Sequence, residues 1–398
     1  MTGAWPTQSL AEACQIKPPK SDARRHLAAT DLVSFAPMED LGIDRKLLVP
    51  RGTRALADVA GSYTYFADGD VLLAKITPCF ENGKLGIAAN LTNGVGFGSS
   101  EYMVFRPSPA LDKVWLYYYL SRETFRTEGA ARMSGAVGHK RVAKEFIDAY
   151  PIPVPPLPEQ QRIVGILDEA FDGIATAKAN AEKNLQNARA LFESHLQSVF
   201  TQRGDGFALK KLSDVCAITS TLVDPRKDEF LVLTHVGAGN IESQTGVFVK
   251  LKTALEEGLI SGKFLFDESM VLYSKIRPYL MKVARPDFNG LCSADMYPLA
   301  PTAGEITRDY LFHLLLSKPF TDYAIQGSAR AGMPKVNREH LFEFAVWLPA
   351  IKKQTELAAK LDELHEETQR LESLYQRKLN ALDELKKSLL HQAFSGAL

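Results

Sequence analysis

The stretch PIPVPPLPEQQRIVGILDE at residues 151–169 places a run of prolines directly before an apolar pattern typical of a helix. A degraded copy, AVWLPAIKKQTELAAKLDE, occupies residues 345–363, which is 194 positions further along the chain. Proline fixes φ and lacks an N–H, so it is tolerated in the first turn of a helix and marks a boundary there. Two such boundaries predict a duplicated module. The alternative, a PxxP ligand for a groove-binding domain, is disfavoured because the copy retains the helix start and loses most prolines.

The two halves of the chain align over most of their length. With a shift of 194, Gln160 falls on Gln354 and residues 167–169 fall on residues 361–363. The shift drifts to 200 where VLLAKITP meets VLYSKIRP, and to 202 where LAEACQI meets LSDVCAI. Such small insertions belong in surface loops. The predicted boundaries are a first globular domain at 1–150, a proline hinge with the central helix at 151–205, a second globular domain at 206–345 and a C-terminal helix at 346–398.

The globular domains mix two kinds of secondary structure. VLLAKI and VLYSKI are β-branched or aromatic runs of strand length. VWLYYYLSRETF and DYLFHLLLSKPF are typical of short buried helices. The sequence therefore predicts an α+β fold for each domain.

Apolar residues in both helical segments step by four and three, with a shared four-residue stutter. A shared irregularity predicts that the two helices pack together. A helix over residues 159–200 would be about 63 Å long, and an antiparallel pair would relate the two domains by an approximate two-fold axis. The predicted helix-pairing residues are Ile163, Leu167, Ile174, Leu185, Phe192, Leu357, Leu361, Leu371, Leu379 and Leu382.

Composition limits the possible settings of the protein. Lys plus Arg and Asp plus Glu balance at 47 each, so no overall attraction to a polyanion or a membrane surface is encoded. No apolar run approaches a membrane span, and the first residues lack the pattern of a secretory signal. The four cysteines are far apart without a CxxC pair, which argues against structural zinc or disulfides. We expect a cytoplasmic protein without a membrane partner.

The segment PLPEQQRIVGILDEAFDGI at 156–174, with ARALFESHLQSVF at 188–200 and its echo LDELKKSLLHQAFSG at 382–396, resembles the specificity subunit of bacterial type I restriction-modification enzymes. The resemblance covers essentially the whole chain. It implies two mixed α/β target-recognition domains separated by two long antiparallel coiled-coil helices, a pseudo-two-fold internal repeat. Ala350 and Lys352 replace two prolines of the signature, so we expect a less sharply directed start for the second helix.

The same resemblance implies a function without catalysis. Each recognition domain would read one half of a split target in double-stranded DNA, and the paired helices would set the spacer. Two modification subunits would dock on the chain and methylate adenines, and restriction subunits with translocase activity would join for cleavage. S-adenosylmethionine, ATP and magnesium are expected only on these partners, so no cofactor or metal is expected on this chain.

Two segments in each domain are candidates for DNA contact. The first is the strand end with Lys75 and Thr77, matched by Lys275 and Arg277, whose cations suit guanine edges or phosphates; the alternative is that the lysines only solvate a strand end. The second is a loop rich in small residues and hydrogen-bond donors. Its candidates are Arg132, Ser134, His139, Lys140 and Arg141, matched by Ser328, Arg330, Lys335 and Arg338, with contacts to the DNA backbone only for the two serines.

Patterns for enzyme chemistry are incomplete in this sequence. Residues 258–263 resemble a phosphate-binding loop but are one residue too short and lack Ser or Thr after the lysine. His365 starts half of a zinc-helix pattern without the second histidine. A stand-alone enzyme would have to show turnover as purified protein without partner subunits. Two other hypotheses remain. One is the DNA specificity subunit, and the other is a coiled-coil scaffold that binds only proteins.

Overall fold

The computed structural model describes residues 5–136, 138–328 and 334–398. The chain divides into two compact units. Unit 1 consists of Met1–Ala181 and Arg377–Leu398, and unit 2 consists of Glu182–Gln376. The boundary falls inside both long helices, so each unit holds one globular domain together with parts of both helices. Within the described residues, no helix combines the length and the apolar character needed to cross a membrane.

Unit 1 contains short strands and helices before its long helical segments. Its described strands are Thr7–Ser9, Cys14–Ile16, Leu32–Ala36, Leu47–Leu48, Gly52–Ala55, Thr64–Ala67, Val71–Ala74, Leu85–Ala88, Val95–Gly98, Tyr102–Pro107, Met133–Ser134, Arg141–Val142 and Pro151–Pro153. Its described short helices are Leu10–Ala13, Ser21–Arg24, Leu56–Val59, Lys113–Ser121, Glu123–Ala130 and Lys144–Ala149, with a 3₁₀ turn at Thr92–Gly94.

Unit 2 repeats this pattern with different loops. Its described strands are Ala208–Lys211, Cys216–Ala217, Leu222–Val223, Thr234–Val236, Lys252–Thr253, Lys263–Phe266, Val271–Ser274, Val283–Ala284, Gly290–Cys292, Met296–Pro301 and Ala345–Leu348. Its described short helices are Leu212–Val215, Asp228–Leu231, Arg308–Leu316, Lys318–Gln326 and Arg338–Phe342, with 3₁₀ turns at Ala238–Asn240 and Pro278–Leu280.

The strand that precedes the candidate interface has the same neighbours in both units. In unit 1, Val71–Ala74 lies between Tyr102–Pro107 and Leu85–Ala88, antiparallel to both. In unit 2, Val271–Ser274 lies between Met296–Pro301 and Val283–Ala284, again antiparallel to both.

A second sheet also has matching topology. Leu32–Ala36 pairs in parallel with Val95–Gly98 in unit 1, and Thr234–Val236 pairs in parallel with Gly290–Cys292 in unit 2. Parallel neighbours require a crossover rather than a hairpin, so this shared pair reflects common ancestry of the two domains more strongly than a shared hairpin would.

Each domain closes with a strand pair immediately before its long helix. Thr7–Ser9 pairs antiparallel with Pro151–Pro153 in unit 1, and Ala208–Lys211 pairs with Ala345–Leu348 in unit 2. The Trp115 indole N–H also donates to the Pro153 carbonyl oxygen at 2.9 Å. The chain that leads into the helix is thus part of the domain rather than a free linker.

The central helix spans Leu157–Thr201 and the C-terminal helix spans Ile351–Ser395. In unit 1 Lys178 of the central helix pairs with Asp383 of the C-terminal helix, and in unit 2 Arg189 pairs with Glu372 at 2.7 Å. From Lys178 to Arg189 the central helix advances by eleven residues, while from Asp383 to Glu372 the C-terminal helix goes back by eleven. Eleven residues make about three helical turns, so the antiparallel register is the same in the two units.

The domain cores include residues from both long helices. In unit 1 Ile163 and Leu167 share a buried cluster with Leu390 and Ala393, and Trp115 contacts Phe394 with ring centroids 4.5 Å apart. In unit 2 Leu361 and Ala358 share the core with Leu196. Each domain therefore rests on both helices of its own unit.

The residues predicted for helix pairing divide into two groups by burial. Ile163, Leu167, Ile174 and Leu361 are buried, whereas the remaining ones are only half-buried: Leu185, Phe192, Leu357, Leu371, Leu379 and Leu382. The first group includes residues that the globular domains cover. In the second group, Phe192 and Leu357 pack against the core of unit 2, and the pairing role of the others stays a prediction.

A buried glutamine ties the start of each long helix to its domain. The Gln160 amide donates to the carbonyl oxygens of Ala110 and Pro155 at 2.8 and 2.7 Å, and its oxygen accepts from the Asp112 N–H at 2.8 Å. Gln160 has no exposed surface. Because Asp112 is the N-cap of the buried helix Lys113–Ser121, the glutamine joins two helix starts.

Unit 2 has the same arrangement around Gln354. Its amide donates to the carbonyl oxygens of Glu305 and Pro349 at 2.9 Å each, and its oxygen accepts from the N–H of the N-cap residue Thr307 at 3.0 Å. The two proline replacements therefore leave the hydrogen bonds at the second helix start unchanged, contrary to the expectation of a less directed start.

Eight residues further on, which is about two turns, a carboxylate of each long helix binds the buried helix of its domain. Asp168 accepts from the Tyr118 hydroxyl and from Lys46. Asp362 accepts from His313 at 2.8 Å and from Arg285 at 2.7 Å. Burial alone would raise the pKa of Asp362, but hydrogen bonds from His313 and Arg285 outweigh it and hold the pKa well below its usual value.

The predicted α+β class, the internal repeat and the pair of long helices are confirmed. The strands at Val71–Ala74 and Val271–Ser274 and the buried helices at Lys113–Ser121 and Arg308–Leu316 lie where the sequence predicted them. The central helix begins two residues before the predicted start, because Pro158 fits within the first turn. The finer domain boundaries stay a prediction.

Replacement of Gln160 by Ala is expected to destabilise unit 1 by about 2–3 kcal/mol, because three backbone groups, one of them in a buried bond, lose their partner. Calorimetric unfolding of the full chain measures this loss. Gln161→Ala is the matched control, since Gln161 is the exposed neighbour on the same helix. Equal effects of the two substitutions would contradict the proposed role of Gln160.

His313 gives the stability of unit 2 a pH dependence. Burial lowers the pKa of His313 below its ordinary value of 6.5, so the unfolded chain binds more protons as the pH falls through 6.5 and folding stability decreases. His313→Tyr introduces the residue that unit 1 uses at this position, Tyr118. We expect a smaller loss of thermal stability between pH 7.5 and 5.5 in this variant than in the wild type. The exposed His391→Tyr serves as control; the same change in both variants would refute the assignment.

Candidate nucleic-acid interface

The two segments predicted to contact DNA lie side by side in unit 1. Ile76 forms an antiparallel bridge with Arg141. The Thr77 N–H donates to the Lys140 carbonyl oxygen at 2.9 Å, and the Val142 N–H donates to the Lys75 carbonyl oxygen at 2.9 Å. The strand end and the loop thus form one surface, although they are more than fifty residues apart in the sequence.

Unit 2 brings its two segments together with the same hydrogen bonds. Ile276 bridges Lys335. The Arg277 N–H donates to the Pro334 carbonyl oxygen at 2.9 Å, and the Val336 N–H donates to the Lys275 carbonyl oxygen at 2.8 Å. The backbone at the candidate interface is therefore a repeated scaffold.

The unit 1 cluster consists of Lys75, Glu101 and Arg141. The Arg141 guanidinium donates to both Glu101 oxygens at 2.9 and 2.7 Å. The Lys75 ammonium donates to the Ser100 carbonyl oxygen at 2.9 Å and lies 3.9 Å from the carboxylate. Hydrogen bonds from Arg141 lower the pKa of Glu101, and burial lowers the pKa of Lys75. One carboxylate thus holds two cations at the surface.

The unit 2 cluster consists of Lys275, Asp295 and Lys335. One Asp295 oxygen lies 3.5 Å from the Lys275 ammonium and 3.2 Å from the Lys335 ammonium. Lys275 also donates to the Ala294 carbonyl oxygen at 2.6 Å, the counterpart of the bond from Lys75 to Ser100. The arrangement of charges is repeated, but a shorter acid faces two lysines instead of a lysine and an arginine.

The remaining candidates of unit 1 differ in whether their side chains are exposed or bonded to other parts of the protein. Ser134, His139 and Lys140 are exposed. Thr77 donates to Glu81 at 2.8 Å, and Arg132 donates to the Glu128 carbonyl oxygen at 2.8 Å. The predicted loop starts and ends as an antiparallel strand pair, in which Ser134 faces Arg141. The exposed candidates lie in this hairpin.

The remaining candidates of unit 2 also differ in their exposure to solvent. Arg277 is exposed and has φ of 49°, a left-handed conformation that is unusual for arginine. Arg338 is exposed at the start of a short helix, with its guanidinium 5.9 Å from the Phe264 ring centroid. Ser328 is buried, and its hydroxyl and N–H both bond to the Ile325 carbonyl oxygen. Ser328 therefore presents no donor to a ligand. Arg330 lies outside the described residues.

Glu101 and Asp295 were missed by sequence reasoning. Each follows a serine by two positions, and the serine hydroxyl accepts from the N–H of the acid at 3.2 Å in both units. The repeat contains this signal, because Ser99 and Glu101 fall on Ser293 and Asp295 with the same shift of 194. A search for cationic donors alone does not find residues that restrain those donors.

Two other kinds of chemistry-bearing group are the thiols and the side chains that could hold a metal ion. The cysteines are free, and burial raises the pKa of Cys14 and Cys216 to about 12, so both thiols stay protonated. Among the described residues no group of three or more His, Cys, Asp or Glu side chains is placed to hold a metal ion. The lysine and arginine side chains of the two clusters are suited to binding an anion or a hydrogen-bond acceptor.

Comparison with solved structures shows the same fold. A chain from a structure on complex assembly and conformational transition of the type I R-M system has a TM-score of 0.76 at 16% identity, covering 99% of this chain and 98% of that chain. The HsdS subunit from Thermoanaerobacter tengcongensis has a TM-score of 0.65 at 16% identity, with coverage of 99% and 97%.

Curated relatives are similar over part of their length. The type I restriction enzyme EcoDI specificity subunit of Escherichia coli is 35% identical over 188 residues, which cover 47% of this chain and 41% of the relative. The EcoEI specificity subunit of the same organism is 31% identical over 243 residues, covering 58% and 40%. The chain thus spans about two fifths of the length of these curated relatives.

The family described as type I restriction modification DNA specificity domain matches residues 53–186 and again residues 205–380. These two matches cover most of the chain and coincide with the internal repeat. The protein belongs to the family of type I restriction-modification specificity subunits.

Proposed function

We propose that this chain is the sequence-specific DNA-recognition subunit of a type I restriction-modification complex and that it reads an asymmetric, bipartite target. Each unit contributes one reader, and the surface around its cluster contacts the duplex. Methyl transfer and cleavage take place on partner subunits, so the chain itself contributes recognition and assembly.

This proposal rests on one observation: the backbone hydrogen bonds around the two clusters are the same, while the side chains they present differ. The hydrogen bonds of Lys75 and Lys275 are the same, whereas Thr77 and Arg141 of unit 1 are replaced by Arg277 and Lys335 in unit 2. Arginine offers a planar fork and lysine a single point charge, so they select different base edges and phosphate geometries. Two readers with the same frame and different donors support a target with two different halves.

Family membership and the charge of the chain support the proposed partners. Lys plus Arg equals Asp plus Glu at 47 each, so a tight grip on DNA needs additional phosphate contacts. Two docked modification subunits would supply them. S-adenosylmethionine belongs to those subunits as the methyl donor, and ATP and magnesium belong to restriction subunits that translocate DNA. These assignments suit a protein of the cytoplasm.

A scaffold that binds only proteins is the competing function. Both hypotheses include the paired helices, but only DNA recognition explains why the two domains keep one backbone frame and change the exposed donors. Fluorescence anisotropy with random-sequence duplexes, with and without the modification subunits, separates the two. DNA binding that depends on the chain supports recognition, whereas assembly without any DNA binding supports the scaffold.

We further propose that the two long helices set the distance between the half-sites. Each helix has 45 residues, which corresponds to about 68 Å at 1.5 Å per residue. B-DNA repeats every 34 Å or so, so a helix of this length is sufficient for half-sites one turn or more apart. The cross-helix pairs Lys178–Asp383 and Arg189–Glu372 keep the helices in register.

Arg141→Ala and Lys335→Ala are each expected to weaken DNA binding by the assembled complex about tenfold, because each removes a cation from the proposed interface. The slope of log affinity against log salt should become shallower by about one for each lost phosphate contact. Salt-dependent anisotropy titrations measure both effects.

Arg162→Ala is the matched control for Arg141→Ala. Arg162 and Arg141 have side chains that are both 48% exposed, and each forms a forked pair with a glutamate. Arg162 lies on the central helix, away from the cluster. If Arg141→Ala and Lys335→Ala both leave affinity and salt slope unchanged, the clusters are not the DNA contact surface.

Matched insertion of four residues after Asn184 and after Gln376 lengthens both helices by about 6 Å. We expect the spacer of the selected DNA to grow by about two base pairs, as measured by sequencing duplexes that the complex captures from a random pool. An insertion after Asn184 alone breaks the register and should impair assembly instead. Capture of the original spacer by the doubly extended protein would refute the ruler role.

A further inference from the structure

The acid of each cluster already pairs with the cations that a DNA phosphate would need. We propose that Glu101 and Asp295 are specificity-determining residues: they hold the cations in the absence of a target and are displaced by correctly placed DNA, which suppresses binding to unrelated sequences. This inference rests on the proposed function, because it assigns a role within the same interface.

The geometry in unit 1 supports displacement by phosphate. The two Glu101 oxygens accept from two nitrogens of Arg141 in a fork, which is the geometry that arginine also adopts with phosphate. The Arg141 side chain is 48% exposed and Glu101 only 21% exposed. The cation is therefore accessible from solvent while its carboxylate partner lies behind it. A phosphate that approaches from solvent can replace the same pair of hydrogen bonds.

In unit 2 an acid also holds two cations, but it holds them more weakly. Asp295 is 40% exposed and approaches Lys275 and Lys335 at 3.5 and 3.2 Å. A point-charge ammonium lacks the two-pronged match of arginine. Asp295 and Lys335 each lie 194 residues after their unit 1 counterparts, Glu101 and Arg141. The two positions are therefore retained, but unit 1 pairs Glu with Arg and unit 2 pairs Asp with Lys. We expect the larger effect in unit 1.

The alternative is that the acids only fasten the loop to the strand end. The backbone already makes that connection in both units, through Val142 to Lys75 at 2.9 Å and Val336 to Lys275 at 2.8 Å. An exposed ion pair adds little to folding stability beside such bonds. A carboxylate in a surface that must accept phosphates, by contrast, has a large electrostatic effect on binding.

The consequence concerns discrimination rather than maximal affinity. Nonspecific DNA binding depends almost entirely on cations that are free to meet phosphates. A cation that is already paired gains little from a phosphate in the wrong position, because it must first lose its carboxylate. A target that also provides matching base edges compensates for this loss. The acids thus act against wrong sequences, in the way that repulsive elements raise specificity in other interfaces.

Glu101→Gln and Asp295→Asn test the inference in the full chain assembled with modification subunits. Affinity is measured for a duplex with the target and for an unrelated duplex, at several salt concentrations. We expect affinity for unrelated DNA to rise threefold to tenfold for Glu101→Gln, with a salt slope steeper by about one. The ratio of specific to nonspecific affinity should fall accordingly, with a smaller fall for Asp295→Asn.

Glu159→Gln is the control, since Glu159 forms the same forked pair with Arg162 on the central helix. Unchanged or reduced binding of unrelated DNA by Glu101→Gln would overturn the inference. A loss of target affinity alone would also overturn it, because Glu101 would then read a base. Lower thermal stability with weaker binding of both duplexes would identify a structural fastener. If the wild-type complex itself does not distinguish the target from unrelated DNA, the proposed function fails instead.

Discussion

The hydrogen bonds of one buried glutamine at the start of each long helix fix that helix to its globular domain. Gln160 and Gln354 use both amide protons and the carbonyl oxygen on backbone groups of their own domain. Such bonds depend on distance and angle, and a buried amide has no water to replace a lost partner. The direction of the helix and the position of the domain are therefore coupled within each unit. Asp168 and Asp362 reinforce the coupling about two turns further on, with different partners in the two units.

This coupling explains why duplication suits the protein. When a domain is fixed to its helix by buried hydrogen bonds, its exposed side chains can change without a change in its position relative to that helix. The clusters illustrate this, since Glu101 and Arg141 of unit 1 correspond to Asp295 and Lys335 of unit 2 on the same set of backbone hydrogen bonds. In the proposed function, the locked frame positions the reader and the exposed residues choose the sequence. In the proposed function, the acids would also let a chain with balanced charge bind DNA selectively, because free cations would attract any duplex.

Much of the fold could be predicted from the sequence, because helix periodicity and the proline boundary are local signals. The central helix, the buried helix Lys113–Ser121 and the strand Val71–Ala74 are of this kind. The repeat also marked Gln160 and Gln354 as equivalent, but their hydrogen bonds could not be predicted, since the partners lie about fifty residues away. The parallel pairing of Leu32–Ala36 with Val95–Gly98 likewise depends on distant contacts. At the candidate site, cationic residues were identified by their chemistry, whereas the acids that restrain them and the burial of Ser328 follow from packing.

In the proposed function, two unlike readers recognise the two halves of one DNA target. This is tested by expressing the chain with its modification subunits in a host that lacks other DNA methylation and mapping N6-methyladenine across the genome. We expect one methylated motif with two different halves separated by a fixed number of unspecified base pairs. A continuous motif, a motif with two identical halves, or methylation without sequence preference would contradict it.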